Sequence, residues 1–443
     1  MGHRSRAALF AAVTALLVGG QVAAGLTALA GTQPRPASLP ARAVPTRAVP
    51  AGWRTVSFGG ASVQVPASWP VVNLDLHPSA CPRLDVHAVY LGTPGPAPHC
   101  PARLVGRTEA VQIQPGSQQD PAARQASRPV LVGGRRALTN ANYRVTHVLV
   151  YQPSGAGPQV SVSYGDDRAL AAQIAATISY AAGPPASPAP PATPGPSGRR
   201  TQQQGSIRRA ARQGVFRGAG FDTCSAPAAG VLHRWLRSRY RAVGIYIGGM
   251  NRACAQPSLT PRWIAAIRAQ GWHYFPIYVG RQASCVRGLR VVRIVAGDAA
   301  AEGRAAAHDA VTQARDLGIP RWTPVIYDME AYTGCGREVA AFLSAWDAAL
   351  HSEGYLAGVY ESFSNVADLL RRARSMTEPD VMHYADWDFH GTTTSSYMPR
   401  HRWTRHSRIH QFRGPHREAY GGFALDIDND RLNVRLGPAA PSR

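Results

Sequence analysis

The stretch Pro324-Val325-Ile326-Tyr327-Asp328-Met329-Glu330 reads as a short apolar strand ending in two carboxylates. A strand has a side-chain period of two, so Asp328 and Glu330 point to the same face. Two acids held side by side oppose each other's ionisation, which raises the pKa of at least one. A carboxyl kept protonated near neutral pH can serve as a general acid. The bland alternative is a helix start, where Asp and Glu are common in the first turn.

The elements around this pair give it a setting. From about Val215 the chain alternates strand-like and helix-like stretches. Eight strands are expected, at Ala219–Thr223, Ala242–Ile247, Tyr274–Val279, Pro324–Met329, Tyr355–Tyr360, Val381–Ala385, Ile409–Phe412 and Phe423–Ile427. Helices separate the first five. One spans Pro227 to Tyr240, and another opens at Thr260-Pro261, an N-cap followed by proline. A long Ala-rich one covers about Asp298–Leu317, and Arg337–His351 and Val366–Ala373 follow. Later connections are too brief for full helices. This alternation predicts an α/β fold, a (β/α)₈ TIM-like barrel, irregular in its last third. An open doubly wound sheet is the runner-up, weakened because no Gly-rich phosphate loop follows the first strand.

In such a barrel the site gathers at the C-terminal strand ends. Polar residues collect there: Asp222, Tyr246, Tyr278 with Gln282 beyond it, Asp328 and Glu330, Tyr360 and Glu361, Asp386-Trp387-Asp388, His410 and Gln411, and Asp426 and Asp428. Acids number only 26 in the whole chain, so their gathering at these ends favours a site. Each tyrosine alone reads equally well as a packed residue of the barrel mouth. The repulsion among Asp222, Asp328 and Glu330 is expected to keep Glu330 protonated at working pH.

The 443 residues carry a formal charge of +22, and all 48 cations are arginine. A positive field of that size suits polyanions generally. The start reads as a signal peptide over residues 1–30. His3, Arg4 and Arg6 precede an apolar run from Ala7 to Val18, and cleavage is expected near Ala30; an N-terminal membrane anchor is the alternative. Residues 31–50 are a Pro/Ala/Arg segment with the composition of disorder. Residues 51–182 read as a small β-rich α+β domain without a chemical motif. Residues 183–210 are a Pro-rich linker with a basic end, and 211–443 hold the barrel. Export permits disulfides. Cys81 and Cys100 stand alone in the N-terminal half and should pair. Cys254 and Cys285 follow neighbouring strands and are expected to pair, which leaves Cys224 with Cys335.

Other chemistries find no support. There is no Gly-x-Ser-x-Gly elbow and no His-Glu-x-x-His. No cofactor and no metal is called for, and no nucleic-acid module is recognisable.

As an ordered set, Gly220-Phe221-Asp222-Thr223, Gly244-Ile245-Tyr246-Ile247-Gly248-Gly249, Pro276-Ile277-Tyr278-Val279-Gly280, Ile326-Tyr327-Asp328-Met329-Glu330 and Gly358-Val359-Tyr360-Glu361-Ser362 resemble a known family. It is the secreted bacterial glycoside-hydrolase-like family called domain of unknown function 1906, and the resemblance runs from about Gly218 to Leu436. That family in turn resembles the family-25 lysozymes, barrels that cleave peptidoglycan. Asp222, the Asp328/Glu330 pair and Gln411-Phe412 fit the lysozyme pattern. In Asp426-Ile427-Asp428-Asn429-Asp430 the position matching the last motif is ambiguous. The resemblance implies Glu330 as general acid, with Asp328 orienting an acetamido group or stabilising the positive intermediate. Tyr246, Tyr278, Gln282, Tyr360, Asp386, Trp387, Gln411, Asp426 and Asp428 would line the substrate groove. The expected function is cleavage of a β-linked amino-sugar polymer such as peptidoglycan. The rival is a non-catalytic protein that binds wall glycan or regulates its remodelling. Expected partners are a cell-wall polysaccharide and, through the Arg-rich segments, an anionic wall polymer or membrane surface. The expected place is outside the cell or on its wall.

Overall fold

The computed structural model describes residues 50–116, 126–181, 213–372 and 376–438. The expected signal segment, the 31–50 segment apart from Pro50, and the 183–210 linker lie outside the described residues. The chain divides into Met1–Pro45 and Thr46–Arg443, so everything below belongs to the second unit.

Its N-terminal part holds two sheets. β1 (Trp53–Phe58), β2 (Ala61–Pro66) and β10 (Ser179–Tyr180) form the smaller, in the order β1-β2-β10. The larger comprises β3 (Val71–Asn73), β4 (Val89–Leu91), β5 (Ala110–Gln114), β6 (Ala126–Val132), β7 (Arg135–Asn140), β8 (Val148–Pro153) and β9 (Gln159–Ser163). Its order is β3-β4-β5-β9-β8-β7-β6. Helix α1 (Tyr143–Thr146) precedes β8, and α2 (Arg168–Ala176) begins where Asp167 caps the backbone N–H of Leu170 at 2.9 Å. Val63, Val65, Val111, Ile113, Val160, Val162 and Ile174 pack between them.

The C-terminal part is a closed barrel of eight strands: β11 (Gln213–Asp222), β12 (Tyr240–Gly248), β13 (His273–Tyr278), β14 (Pro324–Asp328), β15 (Leu356–Ser362), β16 (Val381–Ala385), β17 (Ser407–Tyr420) and β18 (Phe423–Pro438). Helices α3 (Ala229–Trp235), α4 (Pro261–Ala269), α5 (Ala299–Asp316), α6 (Gly336–Ser352) and α7 (Phe363–Arg372) lie between its successive strands up to β16. Thr260 caps α4 by accepting from Trp263 N–H at 3.0 Å, with Pro261 at the first helical position. Strand alternation separates two apolar layers. Phe275, Ile277, Ile326, Ile409 and Leu432 fill the barrel interior. Val243, Ile245, Tyr278, Tyr327, Phe342 and Trp346 pack between strands and helices.

The irregularity lies at the end. Strands β11 to β17 run parallel to their neighbours, but β18 is antiparallel to both β17 and β11. Tyr420 pairs with Phe423 across Gly421-Gly422, whose φ values of +58° and +86° suit a two-residue hairpin turn. The hairpin tip lies on α3, where Trp235 Nε1 donates to Phe423 O at 3.0 Å. The expected parallel strand at Phe423–Ile427 is therefore the tip of this hairpin. The barrel is closed by residues further along β18.

Cys81 bonds Cys100 as expected. The other two bridges differ from expectation: Cys224 bonds Cys254 (Cα–Cα 5.7 Å) and Cys285 bonds Cys335 (5.8 Å). The expected Cys254–Cys285 and Cys224–Cys335 pairs are not formed. The loop after β12 leans back over the end of β11, where Ser225 Oγ donates to Ala255 O and Gln256 Nε2 to Cys224 O. The loop after β13 leans toward β14, where Gln282 Nε2 donates to Asp328 O at 2.8 Å. Neighbouring strands are joined, but in the pairs that these leanings select.

Candidate active site at the barrel mouth

Period-two alternation carries Asp222, Tyr246, Asp328, Tyr360, His383, Gln411, Asp428 and Asp430 to the interior side of their strands. Asp222 and Asp428 are directly opposite in the β11–β18 register. Gln411 links them: its Nε2 donates to Asp222 Oδ2 at 2.9 Å and to Asp428 Oδ2 at 3.4 Å. Its Oε1 accepts from Tyr360 Oη and from Trp387 Nε1, both at 3.0 Å. Tyr246 Oη donates to Asp222 Oδ1 at 3.3 Å. Gln282 fixes the end of β14 from both sides, donating to Asp328 O and accepting from Glu330 N–H at 2.8 Å. The two acids are thus set by a buried amide and not by a helix turn.

Burial and mutual repulsion act strongly here. Burial, then Glu330, push the Asp328 carboxyl well above the usual carboxylate range. Burial and Asp430 push Asp222 up to about 7. Burial, then Asp222, raise Asp428, and burial raises Asp430. Oδ1 of Asp328 and Oδ1 of Asp428 are buried and accept no protein hydrogen bond. His383 donates to or accepts from Asp430 Oδ1 at 3.0 Å, and burial pushes its imidazole down to about 4.

Glu330 has a partner that the sequence does not suggest. Arg103, from the N-terminal part, donates from Nε to Glu330 Oε1 at 2.8 Å and from Nη2 to Oε2. Its Nη1 donates to Tyr360 Oη, and the guanidinium carbon lies 4.6 Å from the Tyr360 ring centre. The expectation for Glu330 named only neighbouring acids; the structure adds a guanidinium on both of its oxygens. Both of its oxygens accept N–H bonds from one guanidinium, in the two-pronged arginine–carboxylate pattern. The acid pushed up beside it is Asp328.

Arg103 reaches the mouth because its loop is bound to the barrel. Leu84 N–H donates to Ala253 O at 2.6 Å and Gly106 N–H to Asn251 O at 2.8 Å. Arg83 pairs with Cys254, and Val105 with Arg252, as antiparallel bridges. The buried Arg107 donates to Arg252 O at 2.7 Å and to Thr146 O at 2.8 Å. Gly106 has φ +124°, and a Cβ there would meet Arg290 O at 2.6 Å. A cavity of about 520 Å³ opens beside Glu330, lined also by Arg103, Asp85, Arg290, Trp387 and Pro415.

Three expected groove residues do not join this cluster. Tyr278 lies on the outer side of β13, and its hydroxyl donates to Asp309 Oδ2 on α5 at 2.8 Å. Asp426 sits on the hairpin and pairs with Arg417 at 3.3 Å, because β18 runs against its neighbours. Asp386 touches the site through its backbone, donating from N–H to Gln411 O, while its carboxylate lies with Asp388 and His410. Glu361 also faces outward from β15, buried, with neither carboxylate oxygen accepting a protein hydrogen bond. His383 and Asp430 were findable from the alternation of β16 and β18. Arg103 carries no sequence signal among 48 arginines.

Among the described residues, Asp222/His383/Asp430 and Asp386/Asp388/His410 have metal-ligand spacing, each with ligand atoms within 4.8 Å of one another. In the first, His383 and Asp430 already bond each other. A third group, Cys81, Cys100 and Cys254, is consumed by disulfides. Among the described residues no helix is long and apolar enough to cross a membrane.

No curated protein matches the chain. Among solved structures, an uncharacterised protein of B. stearothermophilus is 21% identical, over 49% of this chain and 97% of its own, with a TM-score of 0.33. The Tat-secreted protein Rv2525c of Mycobacterium tuberculosis, in complex with HEPES, is 14% identical over 50% of this chain and 96% of its own, with a TM-score of 0.35. The catalytic domain of endolysin ply40, from bacteriophage P40 of Listeria monocytogenes, is 13% identical over 49% and 93%, with a TM-score of 0.32. A family model described as Rv2525c-like, glycoside hydrolase-like domain matches residues 233–432, which take in every barrel strand from β12 to most of β18 but not Asp222. Residues 233–432, a little under half of the chain, are thus similar to the Rv2525c-like, glycoside hydrolase-like domain.

Proposed function

We propose that the barrel hydrolyses a β-linked amino-sugar polymer, peptidoglycan first among them, by carboxylate acid catalysis. The observation that supports this is the convergence of Asp222, Asp328, Glu330 and Asp428 at the mouth of a closed barrel, beside a cavity of about 520 Å³. In this reading Glu330, which lines the cavity, protonates the leaving oxygen. Asp328, buried and pushed up, holds the acetamido group or meets the developing positive charge. Asp222, held by Gln411 and Tyr246, supports the pair. Trp387, half exposed at the rim, offers an apolar face to a sugar ring. Three disulfides suit an exported protein, and the +22 charge suits retention on an anionic wall polymer or membrane face. The test is release of new reducing ends from purified walls and from amino-sugar polymers. No release from any of them sinks the proposal.

One observation favours a second reading. Arg103 occupies both Glu330 oxygens, which suits a protein that binds wall glycan without cleaving it. Its mark is retention on walls with no release of sugar.

A further inference from the structure

The barrel supplies the acids of the mouth, but Arg103 enters from another part of the chain. Displacing its whole loop would break two antiparallel bridges, the backbone bonds of Leu84 and Gly106, and the buried bonds of Arg107. Displacing the Arg103 side chain alone breaks its bonds to Glu330 and Tyr360. The loop is therefore a fixed wall, and the guanidinium is the part free to exchange partners. It carries five N–H donors, of which Glu330 and Tyr360 take three. It lines the cavity together with Arg290, which is exposed and has no ion-pair partner among the described residues. Trp387, on the same cavity, is 49% exposed and pinned by its Nε1 bond to Gln411. Two arginines and an open indole around one cavity suit a sugar that carries an anion. The ring can lie on the indole, and a carboxylate matches the guanidinium fork.

We propose that Arg103 is the anion receptor of this site: the carboxylate of an acidic amino sugar takes the guanidinium from Glu330, and the freed Glu330 takes up a proton. The choice of an amino sugar rests on the glycan reading above; the exchange at Arg103 does not. No covalent bond forms or breaks, and the proton comes from solvent. The groups around Glu330 are Arg103 from the loop, Asp328 at the end of β14, Tyr360 on β15 and Asp428 on β18, with Glu361 acting from the outer side of β15. Once the guanidinium turns away, Glu330 has no cation among these groups and lies against buried carboxyls.

The experiment is calorimetric titration of the full chain with N-acetylmuramic acid and with N-acetylglucosamine, which differ by a lactyl carboxylate. The acidic sugar is expected to bind about 10- to 100-fold tighter, the worth of a charged hydrogen-bonded pair. Its binding should take up close to one proton, read from heats in buffers of different ionisation enthalpy. Glu330→Gln should bind it tighter than wild type and without proton uptake, because the amide does not hold the guanidinium as a carboxylate does. Arg103→Gln, checked for an unchanged thermal melt, should lose the preference. Equal affinities, binding of neither sugar, a preference that survives Arg103→Gln, or a Glu330→Gln variant that matches wild type overturns the proposal. None of these readings uses turnover, so this idea and the hydrolysis reading can fail separately.

Discussion

The barrel strands and the segment of residues 81–108, with its loop after β4, bring charge to the same mouth by different means. The strands do it by period. Asp222, Asp328 and Asp428 face inward because every second residue must, and their burial raises all three. The loop does it by anchorage. Arg107 spends its guanidinium on backbone carbonyls, and four residues earlier Arg103 extends to Glu330. One arginine fixes the loop and the other meets the acid. A site assembled this way has an acidic floor built from strands and a cation reaching it on a single side chain.

The comparison breaks first at Glu330. If the floor does the chemistry, Glu330→Gln lowers sugar release from walls about 10²–10⁴-fold while wall binding persists. Asp328→Asn also lowers release, and the double variant loses less than the sum if the pair acts as one unit. Equal release by wild type and Glu330→Gln removes the role assigned to this acid.

The floor is also tested by pH. The Asp222 carboxyl is raised from an ordinary 3.8 to about 7, so the folded chain holds a proton that the unfolded chain releases. Its contribution to stability is full below about 4, declines as pH rises, and is gone above about 7. The difference is worth up to ~4 kcal/mol. Melting temperature should fall between pH 4 and 7, and Asp222→Asn should flatten that slope. A slope that Asp222→Asn leaves unchanged would show that other acids set it.

The loop side is tested by its cystine. Replacing Cys81 and Cys100 with Ser should cost about 3 kcal/mol in the chain-entropy account, seen as a lower denaturation midpoint. If the loop is what presents Arg103, the same variant should also weaken the preference for an acidic sugar. A destabilised variant with an intact preference would separate the cystine from the placement of Arg103.

The smallest effect contrasts built charge with general charge. Retention on purified walls should weaken as salt rises, because exposed charges are screened beyond about 10 Å at roughly 0.1 M. Retention that ignores salt would assign it to specific contacts such as Arg103.

Much of the floor was legible. Asp-x-Glu after an apolar run fixes one face, and the Asp that ends the first strand meets it once the barrel closes. The direction of β18 was not legible, because alternation reads the same both ways along a strand. That ambiguity put Asp426 in the groove beside Asp428, where the structure has Asp428 and Asp430. Tyr278 was misplaced by one residue of parity, since the strand end alone does not say which face it takes. The cystines beyond Cys81–Cys100 depended on which way two loops lean, decided by buried contacts of Gln256 and Gln282. Arg103 was invisible for a simpler reason. Its meaning lies in a contact 227 residues away, and local patterning carries no trace of such a partner.

The antiparallel closure by β18 orders events in time. Gly220 of the first barrel strand pairs with Asp430, so that strand's outer edge waits through the making of six more strands before it is covered. Long-range pairing of this kind is slow, and an open strand edge invites wrong partners meanwhile. The loop that carries Arg103 is made earlier still, yet the acidic mouth it reaches is complete only after β18, with Asp428, is in place. During synthesis, therefore, the hazard falls on a nearly finished chain, and a chaperone that shields the β11 edge would be expected to raise the yield more than one that acts on the N-terminal sheets.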